Sequence, residues 1–188
     1  ENVLIEGVAA EVKAIARIDG VVLFVEYAVP GDVVNVKIIK KKKNYMEGVI
    51  SSMIKPSEQR AEPFCEHFGI CGGCKWQHLP YDFQLKFKRQ QVVDALQRIA
   101  KVEIPEIPTT IGSDNTTCYR NKLEYTFSNK SWLTFEQMKS GEEFPDRNAV
   151  GFHIPSAFDK IFDIDTCYLM DDINNRLRNG IRSYALSH

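Results

Sequence analysis

Three cysteines fall within ten positions of the stretch FCEHFGICGGCKWQHLP, residues 64–80: Cys65, Cys71 and Cys74, spaced C-x5-C-x2-C. Thiols at this density suit a metal better than core packing, because structural cysteines are seldom clustered. Gly72 and Gly73 separate the last pair. They let the backbone curl tightly enough for its amides to point at sulfur. Zinc and an iron–sulfur cluster both remain open on this pattern. Zinc sites commonly show a second close pair, C-x2-C or H-x3–5-H, and here only the single His67 and His78 stand nearby. A [4Fe–4S] cluster accepts one distant cysteine, because its corners spread the ligands. Cys118 and Cys167 are the two candidates for a fourth ligand. Cys118 precedes an expected strand; Cys167 precedes an expected helix, whose N-terminus favours a thiolate. Spacing alone leaves both in place. The bacterial ferredoxin run C-x2-C-x2-C-x3-C-P does not match, and neither does the radical-enzyme loop, with three residues in its first gap. A redox role is therefore little supported, although electron transfer is one rival reading.

The elements that must position these thiols follow from pattern. Residues 1–56 read as about five short strands. Asp19-Gly20 sits between two apolar runs, a strong hairpin signal. Pro30-Gly31 suits a type II turn. Val34, Val36 and Ile38 then alternate with Asn35 and Lys37 as in a half-buried strand, and NYMEGVISSMI supplies another. Strands this short and this dense predict a small closed barrel of OB-like type. A polar, proline-bounded linker spans 55–63.

Beyond the cysteine loop, Asp82 is the expected N-cap of a helix running to about Ala100. Leu85, Val92, Leu96 and Ile99 share one face, and Asp94 pairs with Arg98 at i,i+4. The segment 102–108 breaks the helix. Strand alternation returns in NKLEYTF (121–127), AVGFHI (149–154) and KIFDI (160–164). A final helix carries Leu169, Ile173, Leu177 and Ile181 at i,i+4 spacing. The expected fold is mainly β with an α+β second half: a barrel over 1–56 and a small α+β domain over 57–188.

Composition narrows the function classes. The chain has 188 residues, 44% hydrophobic, with a formal net charge of -1. Residues 1–101 carry 15 Lys and Arg against 12 Asp and Glu, and residues 102–188 carry 9 against 13. Any nucleic-acid contact must therefore come from local patches. Five cysteines, an odd number with three clustered, argue against a secreted disulfide framework. No apolar run approaches a membrane span and no signal-peptide pattern opens the chain. The expected compartment is the cytoplasm and the expected state a monomer without membrane contact. A start at Glu1 rather than Met reads as a piece of a longer protein.

The order of these parts is distinctive: a small barrel, PFCEHFGICGGCKWQHLPYDFQLKFK, a helix, CYRNKLEYTF, VGFHIP and FDIDTCYLMDD. It resembles the N-terminal part of the RNA (uracil-5-)-methyltransferase family, in the branch that modifies ribosomal RNA and carries a [4Fe–4S] cluster. The resemblance implies an OB-like TRAM domain at 1–56, then a central α+β iron–sulfur domain. It implies a C-terminal domain for S-adenosylmethionine and catalysis that lies outside these residues. It assigns the fourth cluster ligand to Cys167, giving Cys65, Cys71, Cys74 and Cys167 and leaving Cys118 free.

The reaction so implied starts with a thiolate adding to carbon 6 of a uracil. Carbon 5 then takes the methyl group, and a carboxylate removes its proton. The base must leave its stack, so RNA has to be gripped and opened. No strand–glycine loop–helix for the cofactor and no catalytic cysteine motif occurs here, so no catalytic or cofactor-binding residue is expected in this chain. Gripping ribosomal RNA, or less fittingly tRNA, is the expected work. Lys37, Lys40, Lys41, Lys42 and Lys43 on the barrel, with Arg120 and Lys122 in the second half, are the candidate contacts, and Tyr45 and Phe24 are available to stack bases. The competing reading is a stand-alone RNA-binding module with structural zinc.

Overall fold

The computed structural model describes residues 2–9, 12–155 and 157–187. The chain divides into two compact units. The first comprises residues 1–64 and 75–112; the second comprises 65–74 and 113–188. Residues 57–64 and 75–112, which the sequence pattern placed with the second half, thus go with the barrel.

The first unit holds a six-stranded sheet of β1 (Asn2–Leu4), β2 (Gly7–Val8), β3 (Ala14–Ile18), β4 (Val21–Val25), β5 (Val33–Lys41) and β6 (Tyr45–Lys55), ordered β1-β5-β6-β4-β3-β2. β1 and β2 are consecutive pieces of one segment, yet β1 pairs with β5 and β2 with β3, at opposite ends of that order. The sheet therefore curls round until its first strand, bent between Leu4 and Gly7, serves both edges. This is how a small barrel removes exposed edges. β4 and β6 run parallel and the other pairs antiparallel.

Local chemistry explains the turns. Asp19 (φ 51°) and Gly20 (φ 78°) both adopt positive φ between paired Ile18 and Val21, the signature of a type I′ hairpin. Gly31 (φ 92°) follows Pro30, and the Asp32 amide donates to Val29 O at 2.9 Å, closing the expected type II turn. Val3, Ile5, Ala14, Ala16, Leu23, Val25, Val34 and Met46 fill the barrel interior.

The linker is more structured than its polarity suggests. Asp32 is fully buried and accepts from Val29 N (2.7 Å), Ser57 N (2.8 Å) and the Arg60 guanidinium (2.7 and 3.2 Å). Farther on, buried His78 reaches Ala28 O at 3.4 Å and its ring lies 6.4 Å from that of Tyr27. Helix α1 (Tyr81–Asp94) then widens into a π turn over Ala95–Ile99. Pro80 takes the N-cap position and Asp82 stands inside the first turn, where it complements the helix dipole without capping an amide. The Asp94–Arg98 pair forms at 3.2 Å. Val92 and Ile99, expected on a buried face, are exposed.

The second unit is built on a three-stranded antiparallel sheet of β7 (Thr126–Ser128), β8 (Ala149–Ile154) and β9 (Ala157–Asp163), ordered β7-β8-β9. The expected strand over NKLEYTF shrinks to Thr126–Ser128, because residues 119–125 find no ladder partner and run as a loop. A short helix α2 (Phe135–Lys139) escaped the sequence reading. Its signal was present as a capping box: Thr134 Oγ1 accepts from Gln137 N at 3.2 Å, and Gln137 Oε1 accepts from Thr134 N at 2.8 Å.

Helix α3 (Asp172–Ser187) reverses the usual polarity. Its inner face is polar: Arg178 donates to Val150 O and Asp165 O, and Arg182 to the Asp163 carboxylate. Ile173, Leu177 and Ile181, expected to face a core, are exposed, and Leu169 precedes the helix. Among the described residues no helix is long and apolar enough to cross a membrane.

Candidate metal centre and nucleic-acid surface

The cysteine loop is a run of tight turns. Phe68 N donates to Cys65 O at 3.0 Å, Cys71 N to His67 O at 2.9 Å, and Gly69 takes φ 88°. Gly72 brings this loop against β8: a Cβ there would stand 2.8 Å from His153 O and 3.5 Å from the Pro155 ring. Only glycine fits without displacing backbone. Gly73 N points at Cys71 Sγ, 3.4 Å away, the amide-to-sulfur contact that the paired glycines suggested.

Cys65, Cys71, Cys74 and Cys167 all lie in the second unit, as does Cys118. Burial pushes the Cys71 thiol up to about 11, with Cys74, Cys167 and Cys65 each close enough to add to the rise and the Gly73 amide opposing it. Burial also raises Cys65, helped by Glu66, Cys74 and Cys167. Cys65 and Cys71 therefore resist ionisation, chiefly because they are buried. Cys118 is exposed in a left-handed conformation (φ 52°) and is not among the groups that perturb this set. Of the two histidines weighed as ligands, His67 Nδ1 lies 3.8 Å from Cys65 Sγ, whereas His78 belongs to the first unit. Among the described residues no group of three or more His, Cys, Asp or Glu side chains is placed to hold a metal ion.

The Cys167 backbone is held by a side chain. Its amide donates to Asn175 Oδ1 at 2.8 Å, and its carbonyl accepts from Asn175 Nδ2 at 3.1 Å. Burial, then the Cys167 sulfur, push the Tyr125 phenol up to about 12 against the opposing charge of Arg178. Sequence reasoning missed Tyr125 and Asn175, because each acts through a contact distant in the chain.

The barrel's lysines gather at the β5–β6 hairpin. Lys42 N donates to Tyr45 O at 2.9 Å across its tip, and Lys37, Lys40, Lys41, Lys42 and Lys43 are all exposed. They are not equivalent. Lys40 Nζ lies 3.2 Å from Glu47 Oε1 and 5.7 Å from the Tyr45 ring centroid. Tyr45 in turn meets Phe24 edge-to-face at 5.9 Å. In the second unit Arg120 and Lys122 stand in the 119–125 loop rather than on a strand. The Arg120 amide donates to Leu169 O at 2.9 Å, and Lys122 pairs with Glu124 at 3.1 Å.

A curled OB-like barrel followed by an α+β unit that carries all five cysteines defines a class of two-part protein. Comparison with known proteins makes it particular. Residues 1–50 match the TRAM domain. A protein of Bacteroides thetaiotaomicron named an uncharacterized RNA methyltransferase is 53% identical over 180 residues, covering 96% of this chain and 40% of its own length. One from Porphyromonas gingivalis with the same name is 50% identical over 185 residues, covering 97% and 40%. The crystal structure of Pyrococcus abyssi tRNA (uracil-54, C5)-methyltransferase in complex with S-adenosyl-L-homocysteine superposes with a TM-score of 0.58 at 23% identity, over 99% of this chain and 37% of that one. At that identity the likeness is one of fold. The chain is a relative, over almost its whole length, of proteins named RNA methyltransferases, and it begins with a TRAM domain. It spans about two fifths of the length of the curated relatives it matches.

Proposed function

We propose that these residues form the RNA-gripping and cluster-holding part of an S-adenosylmethionine-dependent RNA (uracil-5-)-methyltransferase that makes 5-methyluridine in 23S ribosomal RNA. The observation that carries this reading is a TRAM domain at the head of a sequence half identical, over almost its whole length, to proteins named RNA methyltransferases. Transfer RNA is the second substrate reading, favoured by the fold neighbour, itself a tRNA enzyme.

Cys65, Cys71, Cys74 and Cys167 hold a [4Fe–4S] cluster in this reading. These four partly buried thiols would hold the group, with a backbone amide at the Cys71 sulfur. The bound cluster supplies a four-cornered staple. Cys74 and Cys167 stand 93 positions apart in the chain, so tying them restricts the unfolded state strongly. The thiols need a reducing compartment, which the cytoplasm provides.

The chain's own residues grip RNA. Lys37, Lys41, Lys42 and Lys43 offer charge to phosphates, and Phe24 and Tyr45 flank them with aromatic surface. Arg120 and Lys122 offer further contacts from an exposed loop, which can follow a strand of irregular shape. S-adenosylmethionine binds outside these residues. The unit works as a monomer.

Anaerobic reconstitution with iron and sulfide tests the reading. About four irons per chain are expected, as a cubane requires. Cys167→Ser should lose the cluster and Cys118→Ser should keep it. The reverse result overturns the ligand set. Stoichiometric zinc with no iron uptake would favour the zinc-bearing RNA-binding module instead. Calorimetry with S-adenosylmethionine should show no binding to the 188-residue chain.

A further inference from the structure

We infer that a cleft in the second unit takes one unstacked base of a single-stranded RNA; this rests on the RNA-gripping reading above and adds a base-reading site to it. The cleft encloses about 280 Å³, near the lower end of the ~300–1,000 Å³ usual for small-molecule sites. That is room for one flat ring system and not for a length of strand. Trp132, Phe144 and Phe162 line it, three half-buried aromatics from three separate stretches of the chain. Phe162 is braced edge-on by His67, with ring centroids 5.4 Å apart.

The walls are pinned. Trp132 N donates to Ile161 O at 2.7 Å, and Ser131 N to Arg147 O at 2.8 Å. Arg147 Nε donates back to Ser131 Oγ at 3.1 Å, so the segments before α2 and before β8 hold each other. The capping box of Thr134 and Gln137 fixes the first turn of α2 beside them. Polar groups are left over for a ligand. Among the described residues the Asn148 side-chain amide has no hydrogen-bond partner, and the Gln137 side chain commits only its Oε1. A side-chain amide sets a donor beside an acceptor, which is what the edge of a nucleobase pairs with.

Charge decides which part of a nucleotide enters. Two carboxylates, Asp146 and Asp163, and a single cation, Arg182, line the cleft, so its charge is net negative. Arg182 is already closed on Asp163, Nη2 to Oδ2 at 2.5 Å and Nε to Oδ1 at 3.2 Å. A phosphate entering here would meet two carboxylates and a committed guanidinium, whereas a neutral base meets no such repulsion. Stacking on aromatic side chains with hydrogen bonds to the base edge is how unpaired RNA is read. Phosphate binding thus falls to the exposed lysines, and base reading to this cleft.

Tryptophan fluorescence tests this directly. The chain has two tryptophans, Trp76 and Trp132, and Trp76 lies in the first unit. In Trp76→Phe the emission of Trp132 therefore reports on the cleft alone. The probe is a single-stranded RNA of mixed sequence and about ten nucleotides, a usual site size. It should quench Trp132, and an abasic strand with the same phosphates should not. Phe144→Ala and Asn148→Ala should each weaken filter binding of the intact strand about fivefold or more, the scale of losing one base contact. Uridine and adenosine monophosphates should quench only at far higher concentration; quenching as tight as by the strand would make this a free-nucleotide site and overturn the inference. Filter binding without quenching, or parent-like affinity in both alanine variants, overturns it and leaves the RNA-gripping reading standing. A parent that binds no RNA on filters overturns both. Should Trp76→Phe not fold, the two alanine variants decide, compared with the parent on intact and abasic strands.

Discussion

Arg60 closes on Asp32 through two parallel contacts, Nη2 to Oδ2 at 2.7 Å and Nε to Oδ1 at 3.2 Å, and so fastens the linker to the barrel's type II turn. The same guanidinium reaches Tyr27 O at 3.0 Å. Asp32 has no exposed surface, whereas Arg60 keeps a quarter of its side chain in solvent. Burial alone would raise the Asp32 carboxyl. The bonds from Arg60, Ser57 and Val29 outweigh it, and the group sits below its ordinary value.

Asp32→Ala is therefore expected to destabilise the first unit by about 3 kcal/mol, since it strands a half-buried charge and two amides. Because the folded value is depressed, the stabilisation is complete above the unfolded carboxyl value of about 4 and is lost as pH falls through the folded one. Urea midpoints at pH 7 and at pH 3 check both statements: the gap between parent and variant should narrow in acid.

His78 works in a different pH range. Burial lowers its imidazole, despite the Ala28 carbonyl beside Nε2. The neutral form belongs to the folded state. Its contribution is complete above about pH 6.5 and is lost as pH falls toward the folded value. Urea midpoints of the parent should fall between pH 7.5 and pH 5.5, and His78→Gln should flatten that slope.

Gly72→Ala tests the close approach of the cysteine loop to β8. The added methyl would meet His153 O at 2.8 Å, and backbone has to move. Gly73→Ala meets only the Cys71 sulfur, at 3.4 Å. The first substitution should cut iron incorporation sharply and the second only mildly, measured as iron per chain after identical reconstitution.

The lysine hairpin makes a graded prediction. Each lysine that touches phosphate on single-stranded RNA contributes about 0.7 to the slope of log affinity against log salt. Lys41→Ala, Lys42→Ala and Lys43→Ala combined should flatten the slope by up to about 2. Lys40→Ala alone should change it least, because Glu47 already holds that ammonium. Filter binding to an unstructured oligonucleotide across a salt series would show this, and an unchanged slope in the triple variant would reduce the run to a solvated hairpin tip.

Much of this molecule was legible in its residues taken in order. Asp19-Gly20 and Pro30-Gly31 specify their turns because few residues tolerate positive φ, and that constraint is local. The short alternating runs announce a barrel, and C-x5-C-G-G-C announces a thiol site, since both are patterns over neighbours in sequence. Three things were decided only by the tertiary structure. The strand expected at 121–127 mostly dissolves, because a strand needs a partner and alternation cannot supply one. Helix α3 turns Asn175 and Arg178 inward and leaves Ile173, Leu177 and Ile181 outside, because Arg178 has the carbonyls of Val150 and Asp165 to bind there. The choice between Cys118 and Cys167 is likewise spatial. Both are loop cysteines in the chain, and only the folded chain brings the Asn175 amide onto the Cys167 backbone while Cys118 stands exposed; Cys167 as a ligand remains the proposal made above. Backbone preference acts over a few residues and is written in the sequence; burial, charge and the pairing of distant groups exist only once the chain has closed on itself.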